Sequence, residues 1–196
     1  MIDERRMVEQ FMEMVRIDSE SGNEEAMLQY LHTYLARELG ADCRRDAYGN
    51  LVAKWPGRNS QAPPILLACH ADTVKPGQGI APVLEDGVVR SAGATILGAD
   101  DKAGIAEVIE AVRTAPAHPP LEFAVTRQEE VGLHGVKNLD YSMLSAKQGY
   151  LMDGDVLDTV VIGGPTYVAM DVEITGRAAH AGMEPEKGVS AIRAAA

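Results

Sequence analysis

ILLACHADTV, residues 65–74, is the stretch of sequence that decides the fold of this chain. Its first five residues form a continuous apolar run, which is typical of a strand that is buried on both faces of a sheet. His70 and Asp72 follow at the end of that strand, and they point to the same side because side chains alternate along a strand. An aspartate beside a histidine can orient the imidazole as a metal ligand. The stretch therefore predicts a central strand whose end carries the beginning of a metal site.

Helical and extended patterns alternate on both sides of this strand. Apolar residues at helical spacing predict a helix over 3–17, and Ser21 with Glu24 resembles a capping box that opens a second helix ending at Gly40. A third predicted helix, IAEVIEAVRTA, follows the sequence GADDKAG. Further predicted strands lie at 43–46, 51–55, 121–126, 149–153 and 167–175, with a hairpin around Asp86 and Gly87. The alternation predicts an α/β fold.

Composition limits the class of protein. The chain has 196 residues, and its 46% apolar content is enough for a core in one large domain or in one domain plus part of another. A net charge of −11 argues against nucleic acid or an anionic membrane surface as a partner. The charged start MIDERRMVEQ lacks the apolar core of a signal peptide, and two cysteines make no disulfide framework. These features predict a cytoplasmic protein.

Polar groups follow strands or precede helices at four comparable places: His70 with Asp72, Asp100 with Asp101, Glu129 with Glu130, and Asp153. Each has an ordinary alternative, because paired glutamates can form a solvated turn and aspartates can cap a helix or begin a turn. One metal site at the strand ends explains all four together. A histidine with carboxylates suits zinc or manganese, and a two-metal site would need a bridging carboxylate, for which Asp100 is the natural candidate.

The motifs HADTV, TILGADDKAG, EEVGLHG, LMDGD and GRAAHAG together resemble the di-zinc exopeptidases that include peptidase T, aminoacylase and glutamate carboxypeptidase. The resemblance covers nearly the whole chain and is greatest to the peptidase T branch. It implies a zinc-exopeptidase-like mixed sheet flanked by helices, followed by the start of a smaller α+β lid or dimerisation domain. The corresponding boundaries are 1–165 for the catalytic di-metal domain and 166–196 for the beginning of the lid.

The resemblance also implies a role for each site residue. It assigns two Zn²⁺ ions, although Co²⁺ or Mn²⁺ also suits such ligands. His70, Asp100 and Asp153 would hold one ion, with Asp100 bridging to a second ion held by Glu130; Asp72 would orient His70, and Glu129 would be the general base. The peptide bond between Asp100 and Asp101 is expected to be cis. Lys102 receives no role: it is either a surface lysine or a structural charge.

His180 is expected to lie in the lid, to reach the active site of a partner subunit and so to imply a homodimer. In the family a late histidine completes the second metal site, and nothing after His180 could supply it. The chain is therefore expected to lack the C-terminal part of its catalytic domain. The implied function is metal-dependent removal of the N-terminal residue from short peptides. The alternatives are a related deacylase or carboxypeptidase, or an inactive fragment that serves as a binding or assembly module.

Overall fold

A computed structural model describes residues 1–154, 156, 159–164, 166 and 168–196. The chain divides into two compact units, Met1–Leu157 and Asp158–Ala196. Three residues named by the sequence predictions lie outside the described residues: Asp155 of the LMDGD motif, Pro165 at the predicted domain boundary, and Tyr167 at the start of the last predicted strand. Among the described residues, no helix has the length and apolar character needed to cross a membrane.

The first unit alternates helices and strands, as predicted. In chain order its elements are α1 (Glu4–Val15), α2 (Glu25–Leu39), β1 (Asp42–Arg45), β2 (Leu51–Trp55), β3 (Ile65–His70), β4 (Pro82–Glu85), β5 (Val88–Ser91), α3 (Lys102–Thr114), β6 (Leu121–Thr126), α4 (His134–Lys137) and β7 (Gly149–Leu151). A short 3₁₀ turn, Tyr141–Met143, precedes β7. The predicted hairpin is the β4–β5 pair, which turns at Asp86 and Gly87.

The main sheet has five strands in the order β1-β2-β6-β3-β7. The first two pairs are antiparallel, whereas β3 pairs in parallel with both β6 and β7. The predicted mixed sheet is therefore confirmed, and ILLACH forms a strand with a neighbour on each side. Because β6, β3 and β7 run in the same direction, their carboxyl ends meet at one edge of the sheet.

The two faces of the sheet bury different clusters because side chains alternate along each strand. On one face, Leu51, Ala53 and Trp55 of β2 pack with the buried residues of α2 and α3 in the main core. On the other face, Val52 packs with Ala124 and Leu139 in a smaller cluster. Helices thus cover one face, and the segment before β7 covers part of the other.

The predicted capping box at the start of α2 is wrong. The residue that caps α2 is Glu24, and its side chain makes no capping hydrogen bond. Ser21 Oγ donates instead to Asp72 Oδ2 at 2.7 Å, and Glu24 is fully buried against Arg127. Both side chains therefore contact other segments of the chain and do not cap the helix as their spacing suggested. The predicted end of α2 is confirmed, because Gly40 adopts the left-handed conformation there.

The second unit contains a 3₁₀ turn at Pro185–Lys187 and a short helix, α5 (Ala191–Ala195). Arg177 and Val189 form an isolated antiparallel bridge. The strand predicted at 167–175 is not formed by its described residues, and Val168, Met170 and Val172 are all exposed. Alternation alone does not make a strand, because an extended segment also needs a neighbouring strand to accept its hydrogen bonds.

Candidate metal centre

The carboxyl edge of the parallel strands gathers the polar residues that the sequence singled out. His70 is the last residue of β3, the segment 127–130 follows β6, and Asp153 follows β7. Asp100 and Asp101 precede α3, whose N-cap is Asp101. The peptide bond between Asp100 and Asp101 is cis, which confirms that expectation. Four separate segments therefore supply side chains to one site.

His70 lies at the centre of this site and is buried. Its Nε2 atom lies 3.0 Å from Asp100 Oδ1 and 4.0 Å from Asp153 Oδ1. On the other side of the ring, Nδ1 lies 2.9 Å from the main-chain oxygen of Asp72 and 3.5 Å from its carboxylate. Asp72 therefore contacts the ring as predicted, with its main-chain carbonyl closer than its carboxylate. With Nδ1–H donated to Asp72, the ring would present Nε2 to the carboxylates.

Asp72 also supports the segment that carries the two glutamates. Its Oδ1 accepts the Glu129 N–H at 2.9 Å, and its Oδ2 accepts the Glu130 N–H at 3.2 Å. The same Oδ2 accepts the Ser21 hydroxyl. Asp72 is fully buried, and although burial alone would raise its pKa, the hydrogen bonds from His70 and from the Glu129 N–H lower it. It thus remains an ionised acceptor beneath the site.

Among the residues that the structure describes, two sets of three side chains place their ligand atoms within 4.8 Å of one another. One set is His70, Asp100 and Glu130, and the other is His70, Asp101 and Asp153. All four predicted ligands are therefore brought together. The grouping differs from the predicted one in that Asp101, to which the sequence assigned no role, joins His70 and Asp153. Asp101 Oδ2 also accepts the main-chain N–H of His70 at 3.3 Å.

The electrostatics of the site show a surplus of negative charge. Burial raises the pKa of Asp101 to about 6. Burial and the neighbouring Asp100 carboxylate raise the pKa of both Asp153 and Glu130. Burial would lower the pKa of His70, but Asp72, Asp101 and Asp153 outweigh it and raise that pKa to about 10. The carboxylates therefore favour a positive charge at this position, which a proton on His70 supplies.

This donor set fits a divalent cation. One imidazole nitrogen and several carboxylate oxygens converge from rigid strand ends, and these are ligands that zinc and manganese accept. Nε2 of His70 faces the carboxylates where a cation would take the place of the proton. The same cation would relieve the repulsion that raises the carboxylate pKa values. His70, Asp100, Asp101, Glu130 and Asp153 are thus the described residues able to hold a metal.

Glu24 and Arg127 support the site and were missed from the sequence, whereas Lys102 was left open between a surface lysine and a structural charge, and its burial favours the second. Glu24 is fully buried and pairs with the partly exposed Arg127, with Nη2 and Oε2 3.0 Å apart, and Lys102 is fully buried. The spacing of Ser21 and Glu24 was the one signal available, and it indicated a helix cap. His180 lies in the second unit, where it is exposed and where its Nδ1 accepts the N–H groups of Gly182 and Met183.

The chain is similar to known proteins in both sequence and structure. The chain is 41% identical to the protein YqjE of Bacillus subtilis (strain 168), over 98% of this chain and 55% of that protein. Its structure resembles aminopeptidase PepT from Bacillus cereus, with a TM-score of 0.79 and 35% identity over 99% of this chain and 55% of the other. It also resembles a tripeptidase from Staphylococcus aureus, with a TM-score of 0.82 and 32% identity over 100% and 55% of the two chains. The chain thus spans about half the length of these relatives.

The model of peptidase family M28 matches residues 50–180, which is more than half of the chain. The matched region includes His70, the Asp100–Asp101 pair, the two glutamates and Asp153, so the family match and the site geometry concern the same residues. We conclude that the chain belongs to peptidase family M28.

Proposed function

We propose that this chain carries the metal centre of an exopeptidase that removes the N-terminal residue from short peptides. The observation that carries the proposal is the convergence of His70, Asp100, Glu130 and Asp153 at one sheet edge, with Glu129 adjacent. The names of two similar solved structures, an aminopeptidase and a tripeptidase, support a short peptide as substrate and attack at its N-terminal end.

We propose two Zn²⁺ ions as the cofactors, with Co²⁺ or Mn²⁺ as functional substitutes. His70, Asp100 and Asp153 would hold one ion, and Asp100 and Glu130 would hold the other. When bound, the ions would supply Lewis-acid polarisation of the peptide carbonyl and acidification of a water molecule. Metal content per chain, measured by elemental analysis after purification without chelator, tests this stoichiometry. About two ions per chain support it, one ion per chain indicates that only the site of His70, Asp100 and Asp153 is complete in this chain, and none contradicts it.

Glu129 is the proposed general base. Its carboxylate would accept a proton from the attacking water and pass it to the leaving amine, since a carboxylate can perform both transfers in sequence. Asp72 accepts the main-chain N–H groups of both Glu129 and Glu130. Because the side chains of successive residues diverge, the two neighbouring carboxylates can take different roles.

The test compares Glu129→Ala with Glu130→Ala on a panel of tripeptides, an N-acyl amino acid and a C-terminally blocked peptide. We expect Glu129→Ala to retain metal and to lose about 100-fold or more in turnover, whereas Glu130→Ala loses metal affinity. Cleavage restricted to peptides with a free N-terminus supports an aminopeptidase. Wild-type turnover in Glu129→Ala would remove Glu129 from the mechanism.

For the second unit we propose the start of a lid and dimerisation domain, in which His180 contacts the substrate in the partner subunit. Because His180 Nδ1 accepts two N–H groups, the neutral ring carries its proton on Nε2 and can donate it to a substrate oxygen. Co-expression of His180→Ala with Glu129→Ala tests the role across subunits. Recovery of activity in the mixed dimer supports it, and no recovery contradicts it. The proposed setting is the cytoplasm, which cell fractionation tests.

A further inference from the structure

Residues 17–24, which we call the bracing segment, connect α1 to α2 and contact three of the four segments that form the metal centre. The main-chain oxygen of Ile17 accepts the Lys102 ammonium at 3.0 Å, next to the Asp100–Asp101 pair. The Ser21 hydroxyl donates to Asp72, and Glu24 contacts the segment 127–130. The bracing segment contributes no ligand of its own, but it contacts residues that lie next to the ligands in three of those segments.

Glu24 makes the most extensive of these contacts. Its carboxylate is fully buried and accepts four hydrogen bonds. The donors are Gly22 N at 2.7 Å, Gln128 N at 3.1 Å, and Nε and Nη2 of Arg127 at 3.1 and 3.0 Å. A buried charge with this many donors, two of them from one guanidinium, holds its partners in a defined geometry.

The segment 127–130 depends on side chains for all of its main-chain donors. The N–H groups of these four successive residues are accepted by Asn50 Oδ1, Glu24 Oε1, Asp72 Oδ1 and Asp72 Oδ2 in turn. Gln128 also has a positive φ of 51°, which is uncommon for a residue with a side chain. The segment lies outside helices and strands, so its path depends on these accepting side chains and on the turn that opens α4, whose N–H groups donate to the main-chain oxygens of Gln128 and Glu129.

We propose that Glu24 is a positioning residue of the metal centre, which places Glu129 and Glu130 by fixing the two residues before them. This inference rests on the proposed function, since it assigns Glu24 to the assembly of the same site. The competing explanation is that Glu24 only ties α2 to the sheet. It predicts a loss of stability without any change at the metal.

A matched control separates the two explanations. Glu110 in α3 is also a buried carboxylate, and it accepts Nε and Nη2 of Arg6 at 2.9 and 2.7 Å and the N–H of Asp3 at 2.8 Å. It ties α1 to α3 and contacts none of the segments that carry the site. Glu24→Gln and Glu110→Gln therefore remove the same charge from the same kind of ion pair. The Glu24 pair lies next to the metal centre, and the Glu110 pair lies away from it.

The experiment titrates the wild-type protein and both variants with Co²⁺, following the visible absorption of the bound ion, and measures the melting temperature of each metal-free protein. We expect both variants to melt at a lower temperature. Only Glu24→Gln should bind Co²⁺ at least tenfold more weakly and show an altered absorption band. Should Glu24→Gln not fold, Arg127→Lys, which keeps the charge but loses the paired contact, should show a smaller change in the same direction.

The inference is overturned if Glu24→Gln binds Co²⁺ with the affinity and the absorption band of the wild-type protein. The same result in Arg127→Lys overturns it where that variant replaces Glu24→Gln. The proposed function stays intact in either case. A wild-type protein that binds no Co²⁺ overturns the proposed function, and the inference with it.

Discussion

Replacing Asp72 with asparagine tests how one buried carboxylate supports both His70 and the two glutamates. Asp72 accepts the N–H groups of Glu129 and Glu130 and the hydroxyl of Ser21 on its two oxygens. In Asp72→Asn one oxygen becomes an NH₂ group, which leaves one main-chain N–H facing a donor. Since an unsatisfied buried N–H costs about 1–3 kcal/mol, we expect the metal-free protein to lose about 2 kcal/mol of unfolding free energy.

The effect on metal affinity should be moderate. His70 Nδ1 lies 2.9 Å from the main-chain oxygen of Asp72, and that contact survives the substitution. Supporting groups of this kind change metal affinity about 10- to 100-fold. Because the nearer contact is retained, we expect about a tenfold rise in Kd for Co²⁺ or Zn²⁺, equivalent to about 1.4 kcal/mol.

Glu122 provides the matched control. It is buried and accepts the successive N–H groups of Ser145 and Ala146 together with the Ser145 hydroxyl, as Asp72 accepts those of Glu129 and Glu130 with the Ser21 hydroxyl. It is the second residue of the buried strand β6, at the end away from the metal centre. Denaturant unfolding in chelator and calorimetric metal titration should show both Glu122→Gln and Asp72→Asn destabilised, with only the latter weaker in metal binding. Wild-type metal affinity in Asp72→Asn would refute the supporting role.

The other predictions concern cation binding, pH and packing. A cation neutralises the clustered carboxylates in the folded state alone, so a metal concentration 100 times its Kd should add about 2.7 kcal/mol of stability, and chelator should remove this gain. A melting temperature that changes with neither metal nor chelator would contradict the site. Burial would raise the pKa of Glu122, but the Ala146 N–H, Lys54 and Ser145 outweigh it and hold that pKa at about 2. Ionised Glu122 therefore stabilises the fold above pH 4.5 and loses this effect as the pH falls towards 2, so unfolding curves of the wild type and Glu122→Gln should converge over that range. A Cβ atom at Gly104 would collide with Asp101 Oδ1 and would lie 2.9 Å from Met152 Cβ, so Gly104→Ala should lower stability by about 1–3 kcal/mol and weaken metal binding. Unchanged melting and affinity would contradict this close approach.

Local sequence patterns predicted the elements that later carry the site. The apolar run at 65–69 indicated a buried strand, and β3 has a parallel neighbour on each side. The pattern failed at the described residues of 167–175, where Val168, Met170 and Val172 alternate without forming a strand. Alternation records which faces differ in polarity, and it carries no information on whether a partner strand is present.

The sequence likewise identified some residues of the site and missed others. His70, Asp100, Glu130 and Asp153 lie where polar groups follow an apolar strand or precede a helix, and parallel strands bring such positions to one edge. The resemblance to the di-zinc exopeptidases then identified these four as the ligands. The roles of Ser21 and Glu24 could not be found, since their spacing matches a helix cap and the partners that link them to the site, Asp72 and the segment 127–130, are distant in the chain. Asp101 was visible as half of a pair, but nothing in the sequence showed that its carboxylate accepts the His70 N–H.

The sequence by itself determined the alternation of elements, the strand ends that bear the polar residues and the family to which they belong, because these depend on neighbouring residues and on motifs read in order. The tertiary structure decided which carboxylates share His70 and what supports them. Glu24 reaches Arg127 across 103 residues, and Ser21 reaches Asp72 across 51. Contacts of that range depend on how the helices pack against the sheet, so the bracing of the metal centre becomes visible only in the folded chain.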